Sequence, residues 1–322
     1  MYQVNSQRLM RTLETLGLIG ESSEGMQRLA FTLADVEGRR YVKDLLSQAN
    51  LETRVDEAGN LIGRKEGSES GLPAIALGSH TDTVPNGGRY DGALGVLAAI
   101  ECARTLQDQS IETRHPIEVL NFTNEEGTRY RRWLYGSRAM SGLLVDEDLT
   151  AVDDEGVQIG RRLKDVGGNI EDIRNARRVT TDIRAYLELH IEQGPILFQT
   201  NVPIGIVAAI TGRLALEVSI LGIANHAGTT PMSNRNDALL VASHVTQAVN
   251  SIATTEEICR VGTVGIMTVS PGAENVIPGR VDLTVEFRDV EMEHLREADG
   301  RFKRICDDLS VKNKVNIEVN QV

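Results

Sequence analysis

His80 and Asp91 stand eleven positions apart in GSHTDTVPNGGRYDGALG, joined by a loop rich in Gly and Asn. Imidazole nitrogens and carboxylate oxygens are the ligands that zinc and similar divalent ions take, and two such ions can share a carboxylate while holding a hydroxide between them. Glu126 in NEEG and His190 in LHIEQG bring a further carboxylate and imidazole, so His80, Asp91, Glu126 and His190 supply the right types for a metal pair. Asp82, two residues past His80 and on the same side of an extended segment, is placed to accept the ring's other N–H. Glu125, beside a ligand and not needed as one, is placed to take the proton of an attacking water. Each piece alone is weak, because a lone histidine at a strand end is more often structural and paired glutamates usually form a solvated face.

The elements that must position these groups alternate as in an α/β layer. Arg8 to Leu18 carries Leu9, Leu13 and Leu16 at helical spacing, and a second helix is predicted over about Thr32 to Ala49. LETRVDEAGNLIGRKEG reads as a hairpin with EAGN as its turn. PAIALGSH is a buried strand ending at His80, DGALGVLAAIECARTL a helix, HPIEVLNFTNEE a strand ending at Glu125 and Glu126, and AYLELHIEQG a strand with His190 near its end. The chemistry-bearing residues thus gather at strand C-termini or at a helix start, where open α/β sheets bind ligands. Asp146 to Arg178 is charged and Gly-containing and reads as a solvated helical excursion. Gly87 and Gly88 belong to no GxGxxG or GK[ST] phosphate motif and are expected to let the backbone turn between His80 and Asp91.

From about Ile210 the pattern changes. LALEVSI alternates Leu214, Leu216, Val218 and Ile220; Asp237 to Ile252 is helical; RVGTVGIMTV is a strand. VDLTVEF alternates Val281, Leu283, Val285 and Phe287, Met292 to Leu309 is helical, and KVNIEVN alternates again. The order β-α-β-β-α-β is the split ferredoxin-like unit. Two domains are therefore expected, 1–209 and 210–322, in keeping with a length beyond one ordinary core.

Apolar residues make up 41 % and charged residues 25 % of the 322, the shares of a globular protein. No apolar run approaches the roughly 18 residues of a membrane helix. The first residues lack a secretory pattern, so a cytoplasmic location is the default. A net charge of −12, with scattered Lys and Arg, disfavours nucleic acid. Cys102, Cys259 and Cys306, widely spaced, read as reduced thiols rather than a disulfide framework or zinc site. His115, His244 and His294 have no partners among the motifs and are expected to be structural or solvent-facing.

SHTDTV, YDGALGV, NEEG and LHIEQGP, occurring in this order at strand-to-loop junctions, resemble the N-carbamoyl-L-amino-acid hydrolase and allantoate amidohydrolase family. That family is a branch of the dinuclear zinc aminoacylase and carboxypeptidase superfamily that also includes β-ureidopropionases. The resemblance runs from near residue 10 to the end of the chain. It implies an α/β dinuclear metallohydrolase domain, a mixed sheet flanked by helices, with a ferredoxin-like α+β lid that makes a homodimer. It further implies that His80 and His190 are metal ligands, Asp91 the bridging carboxylate, Glu126 a ligand of the second ion and Glu125 the general base. NHAGTTPM is similar to the family segment whose histidine, here His226, stabilises the oxyanion in the partner subunit's active site. Asn275 in GAENVIPG and Arg288 in VEFRD match positions that hold the substrate carboxylate, and Gln193 matches a substrate-binding glutamine. Arg288 falls on the polar face of its strand, and a guanidinium suits bidentate carboxylate binding.

The activity implied is cleavage of a ureido C–N bond in N-carbamoyl-L-amino acids or related ureido acids, with release of ammonia and carbon dioxide. Allantoate and β-ureidopropionate are alternative substrates, and an aminoacylase or dipeptidase uses the same metal logic. The metals are two divalent ions, zinc or manganese, with cobalt and nickel also compatible. Family members add a metal-ligand histidine near their C-terminus, whereas no histidine follows His294 here. The expectation is a fragment of a longer hydrolase with apolar surface left uncovered, against a natural truncation kept for binding or a site completed by a partner chain.

Overall fold

The structure, a computed structural model, describes residues 3–322. They divide into two compact units that part between Pro203 and Ile204, a few residues before position 210.

In the first unit, α1 (Ser6–Leu18) starts where the Asn5 side chain accepts the Arg8 amide, and it buries Leu13 and Leu16. A short hairpin, β1 (Glu21–Ser22) and β2 (Gly25–Met26), precedes α2 (Leu33–Gln48), which Thr32 caps. β3 (Glu52–Val55) and β4 (Leu61–Lys65) form the anticipated hairpin. β5 (Ala74–His80), α3 (Ala93–Asp108) and β6 (Ile117–Phe122) follow. Then come α4 (Tyr135–Ser141), α5 (Asp146–Leu149), α6 (Ile159–Leu163), β7 (Ile183–Leu187) and α7 (Ile196–Gln199). The sheet runs β3-β4-β6-β5-β7, with β3, β4 and β6 antiparallel in turn and β5 parallel to both β6 and β7. It is the mixed sheet expected. β6 is buried along its whole length, as a strand covered on both faces must be. Helices α1, α2 and α3 pack Leu16, Val42, Leu46, Val96 and Ile100 on one side of it.

Three local expectations need correction. Asp146 to Arg178 is not a solvated excursion, because Ile159, Leu163, Val166, Ile173 and Ala176 are buried with Tyr130 and Tyr135 in a core of their own. Its apolar side chains are distributed over short helices and 3₁₀ turns, so no single period reveals them. β6 ends at Phe122, short of Glu125, because residues 123–125 turn away and their carbonyls accept the amides of residues 134–136 instead. β7 likewise ends at Leu187, before His190.

The second unit contains β8 (Gly212–Leu221), β9 (Asn225–His226), α8 (Ala238–Thr254), β10 (Val261–Ser270), β11 (Val276–Ile277), β12 (Arg280–Asp289), α9 (Met292–Asn313) and β13 (Asn316–Gln321). The order β10-β12-β8-β13 is antiparallel throughout, with the first and third long strands central, which is the ferredoxin-like arrangement. The alternating Leu214, Leu216, Val218 and Ile220 of β8 and Val281 to Phe287 of β12 face Val241, Val245 and Val249 of α8 and Phe302 of α9. The Phe287 and Phe302 rings meet edge to face, their centroids 5.8 Å apart. All three cysteines are free, and Cys259 and Cys306 lie buried.

The start of the chain is tied to the sheet layer by one buried carboxylate. Glu101 of α3 accepts the Asn5 amide and the Arg8 guanidinium, the latter at 2.7 and 2.8 Å. Burial pushes the Glu101 carboxyl up, but Arg8 and the Asn5 amide outweigh it and hold it below its ordinary value of 4.5. Arg8→Ala should cost about 3 kcal/mol at neutral pH by stranding that carboxylate. A depressed carboxyl contributes stability above its unfolded value and loses it as pH falls through the folded one. The gap between parent and variant in urea unfolding should therefore shrink from pH 7 to pH 4, and a constant gap would contradict this role.

Candidate active site

The parallel ladder of β5 and β6 extends to the pair His80 and Phe122, so His80 leaves the sheet at its C-terminal edge. Its ring is buried, 3 % exposed, with Nδ1 2.9 Å from the Asp82 backbone oxygen. Nδ1 therefore carries the proton, and Nε2 is left as a ligand atom. The expected partner was the Asp82 carboxylate. That group lies 3.8 Å from the ring and instead accepts the backbone amides of Glu125 and Glu126, at 3.2 and 3.1 Å. One residue thus fixes His80 through its main chain and the glutamate pair through its side chain.

Asp91 is brought in by the start of α3. The next residue, Gly92, caps the helix with φ +61°, and a Cβ there would come within 2.5 Å of the His80 ring. Only glycine permits both the left-handed backbone and that approach. Between His80 and Asp91 the left-handed residue is Asn86, φ +57°, rather than Gly87 or Gly88. Gly87 exchanges backbone hydrogen bonds with Met26.

Asp91 Oδ1 lies 3.9 Å from His80 Nε2 and 3.1 Å from His190 Nε2, and Glu125 Oε2 lies 3.6 Å from His80 Nε2. His80, Asp91 and His190 bring one ligand atom each within 4.8 Å of one another, and so do His80, Glu125 and Glu126. Asp91 Oδ1 is buried and accepts no aligned hydrogen bond. An orphaned buried oxygen between two imidazoles, with more carboxylates alongside, fits a divalent cation, since such a group is otherwise costly. The electrostatics agree. The His190 ring holds the Asp91 carboxyl below its ordinary value, and Asp91 in turn raises His190 to about 9. Burial raises Glu125, with Asp82, Glu188 and Asp91 adding to it. Glu126 is pushed up to about 7, by burial first and by Glu125 and Asp91 next. Burial alone would lower His80, but Asp82 and Glu125 outweigh it and the ring is raised.

Gln193 donates to Asp91 Oδ2 at 2.9 Å, so its amide orients that carboxylate. In the second unit, β9 pairs with β11, which sets His226 opposite Val276 and next to Asn275, whose carbonyl accepts the Ala227 amide. His226 Nδ1 accepts the Gly228 amide at 3.0 Å, which places the ring proton on Nε2 as a free-standing donor. Arg288 is exposed on β12 and pairs with Glu286 at 2.5 Å. His115 and His294 are engaged elsewhere, by the Pro73 carbonyl and by Asp289.

Sequence reasoning overlooked Arg28. Its guanidinium is fully buried and donates to the carbonyls of Thr81, Leu16 and Ile19, while its backbone pairs with Thr83. It clamps the segment between His80 and Thr83. The only signal was a charge inside the otherwise uncharged stretch GMQRLAF.

The model of peptidase family M20/M25/M40 matches residues 76–296. The N-carbamoyl-L-amino-acid amidohydrolase of Pseudomonas sp. (strain NS671) is 42 % identical over 294 residues, 90 % of this chain and 71 % of that protein. The chain belongs to the M20 family. Within it, the M20 chain aligns with a hydantoinase/carbamoylase family amidase from Burkholderia ambifaria at TM-score 0.88 and 32 % identity, covering 100 % of this chain and 79 % of the other. That places it in the hydantoinase/carbamoylase branch. A ureidoglycolate hydrolase of Oryza sativa subsp. japonica is 38 % identical over 299 residues, 90 % of this chain and 61 % of that protein. The protein is thus a hydrolase of the carbamoylase branch, with a metal-binding donor set. No helix among the described residues is long and apolar enough to cross a membrane.

Asp82→Ala should weaken divalent metal binding roughly 10- to 100-fold, the usual cost of removing an outer-shell partner. Zinc titration against a chromophoric chelator measures it, and parent-like affinity would show that the Glu125 and Glu126 amides keep their places without it.

Proposed function

We propose that this protein hydrolyses the ureido C–N bond of N-carbamoyl-L-amino acids at a pair of divalent ions. The observation that carries this reading is the His80, Asp91 and His190 trio around the orphaned Asp91 oxygen, with Glu125 alongside. One ion would be held by His80, Asp91 and His190, and a second by Asp91 and Glu126. Zinc or manganese suits these donors, and cobalt or nickel is also compatible. When bound, such ions supply Lewis acidity and a water that deprotonates near neutral pH.

The chain's own residues do the rest. Glu125, raised by burial, accepts the proton of the attacking water and returns it to the leaving nitrogen. The His226 Nε2–H is suited to meet the oxyanion, a contribution of about 3 to 4 kcal/mol for such a donor. The carbamate released collapses to carbon dioxide and ammonia and leaves the amino acid. Arg288 and Asn275 bind the substrate carboxylate, and Gln193 steadies Asp91. The open edges of β10 and β13 suit a homodimer in which one subunit supplies His226 to the other.

Ammonia release should be measured on N-carbamoyl-L-amino acids, allantoate, β-ureidopropionate and ureidoglycolate, and release of the free amino acid on N-acyl amino acids. The reading expects release from the first class above all, whereas cleavage of acyl substrates alone would make the protein an aminoacylase. Glu125→Gln should lower kcat by at least about 100-fold while metal content stays that of the parent. Loss of metal in that variant would contradict the proton-transfer role. Arg288→Ala should raise KM for carboxylate substrates about 10- to 100-fold and leave a carboxylate-free ureide unaffected. Equal loss on both would contradict a carboxylate anchor.

A further inference from the structure

His80 ends β5 and His190 follows β7, neighbouring strands whose pairing stops too early to align the two rings. The β5 and β7 ladder ends at Leu77 and Leu187, although β5 continues to His80 against β6 on its other side. Residues 188–192 form no regular structure. Past Leu187, therefore, no backbone ladder fixes the His190 segment against Gly78, Ser79 and His80. Two of the links that remain, His190 to Asp91 and Gln193 to Asp91, run through a carboxylate that itself belongs to the trio.

A separate link does not. The Ser79 hydroxyl, 1 % exposed, donates to Glu188 Oε1 at 2.5 Å, and the Tyr186 hydroxyl donates to Glu188 Oε2 at 2.8 Å. The same tyrosine oxygen lies 3.1 Å from the Gly78 carbonyl. Glu188 is two residues before His190, and Ser79 is one before His80. One carboxylate oxygen thus crosses to the end of β5 where the ladder is missing, and the other is held by Tyr186 of its own strand.

We propose that Glu188 is a positioning residue, whose carboxylate, gripped by the Ser79 and Tyr186 hydroxyls, stands in for the absent ladder and sets His190 against His80. The inference rests on the reading of His80, Asp91 and His190 as metal ligands. Charge-assisted O–H···O⁻ bonds are the strong kind, and partners behind metal ligands commonly govern affinity.

The test is a double-mutant cycle on metal affinity in the full chain, with Ser79→Ala, Glu188→Ala and the pair, titrated with zinc against a chromophoric chelator after chelator stripping. Each single change should lower affinity roughly 10- to 100-fold, and the pair should lose no more than Glu188→Ala alone. The visible spectrum of the cobalt-loaded form should change in Glu188→Ala, while thermal unfolding of the metal-free protein stays near the parent's. Glu188→Gln, which keeps one acceptor oxygen, should recover part of the affinity. Parent-like affinity in Glu188→Ala, or additive losses in the pair, would overturn the positioning role while leaving the metal site intact. Failure of the parent itself to bind zinc or cobalt would overturn both.

Discussion

The imidazole of His80 sits in a slot closed on three sides. The Asp82 carbonyl holds Nδ1, the backbone of Gly92 lies against the ring, and the carboxylates of Asp91 and Glu125 stand before Nε2. Because the ring cannot turn, everything that must meet Nε2 is located by backbone. Asp91 comes with the helix start at Gly92, the glutamate pair with the two amides on Asp82, and Asp82 itself with the carbonyl clamp of Arg28. Burying carboxylates beside one another opposes folding, as the Glu125 and Glu126 carboxyls record, raised by burial first and by neighbouring carboxylates next. The sheet, the buried α3 and the fully buried β6 offset it with apolar contact.

The second unit solves a different problem with less burial. Its core lies between one face of a four-stranded sheet and two helices, and His226 and Asn275 are held outside that sheet by the small β9 and β11 pairing. With Nδ1 of His226 occupied by the Gly228 amide, Nε2 is the one ring nitrogen left to donate. The fold of this unit therefore presents a directed N–H at Nε2.

Much of this was legible in the sequence because alternation and helical period survive wherever one face is buried. The eight residues from Leu214 to Ile220 and Val281 to Phe287 that point inward were readable one by one, and so were the strand ending at His80 and the helix beginning after Asp91. Strand ends were less legible, since Leu189 and Ile191 continue the alternation past Leu187 although the ladder stops there, and nothing in TNEE shows that the chain turns away after Phe122. The core around Ile159, Leu163 and Ile173 was hidden because short turns carry no period. Spacing marked Asp82 as a neighbour of His80, but could not tell carbonyl from carboxylate. Nor could it show that Arg28 reaches Thr81 across more than fifty residues of chain.

The central claim is that Nε2 of His80, Nε2 of His190 and the Asp91 carboxylate bind one metal ion together. Anomalous diffraction at the zinc edge, from crystals of the zinc-loaded protein, tests it most directly. A strong peak about 2.0 to 2.2 Å from all three groups is the predicted result. Zinc bound only at other residues, with the trio still joined by its direct contacts, would contradict it.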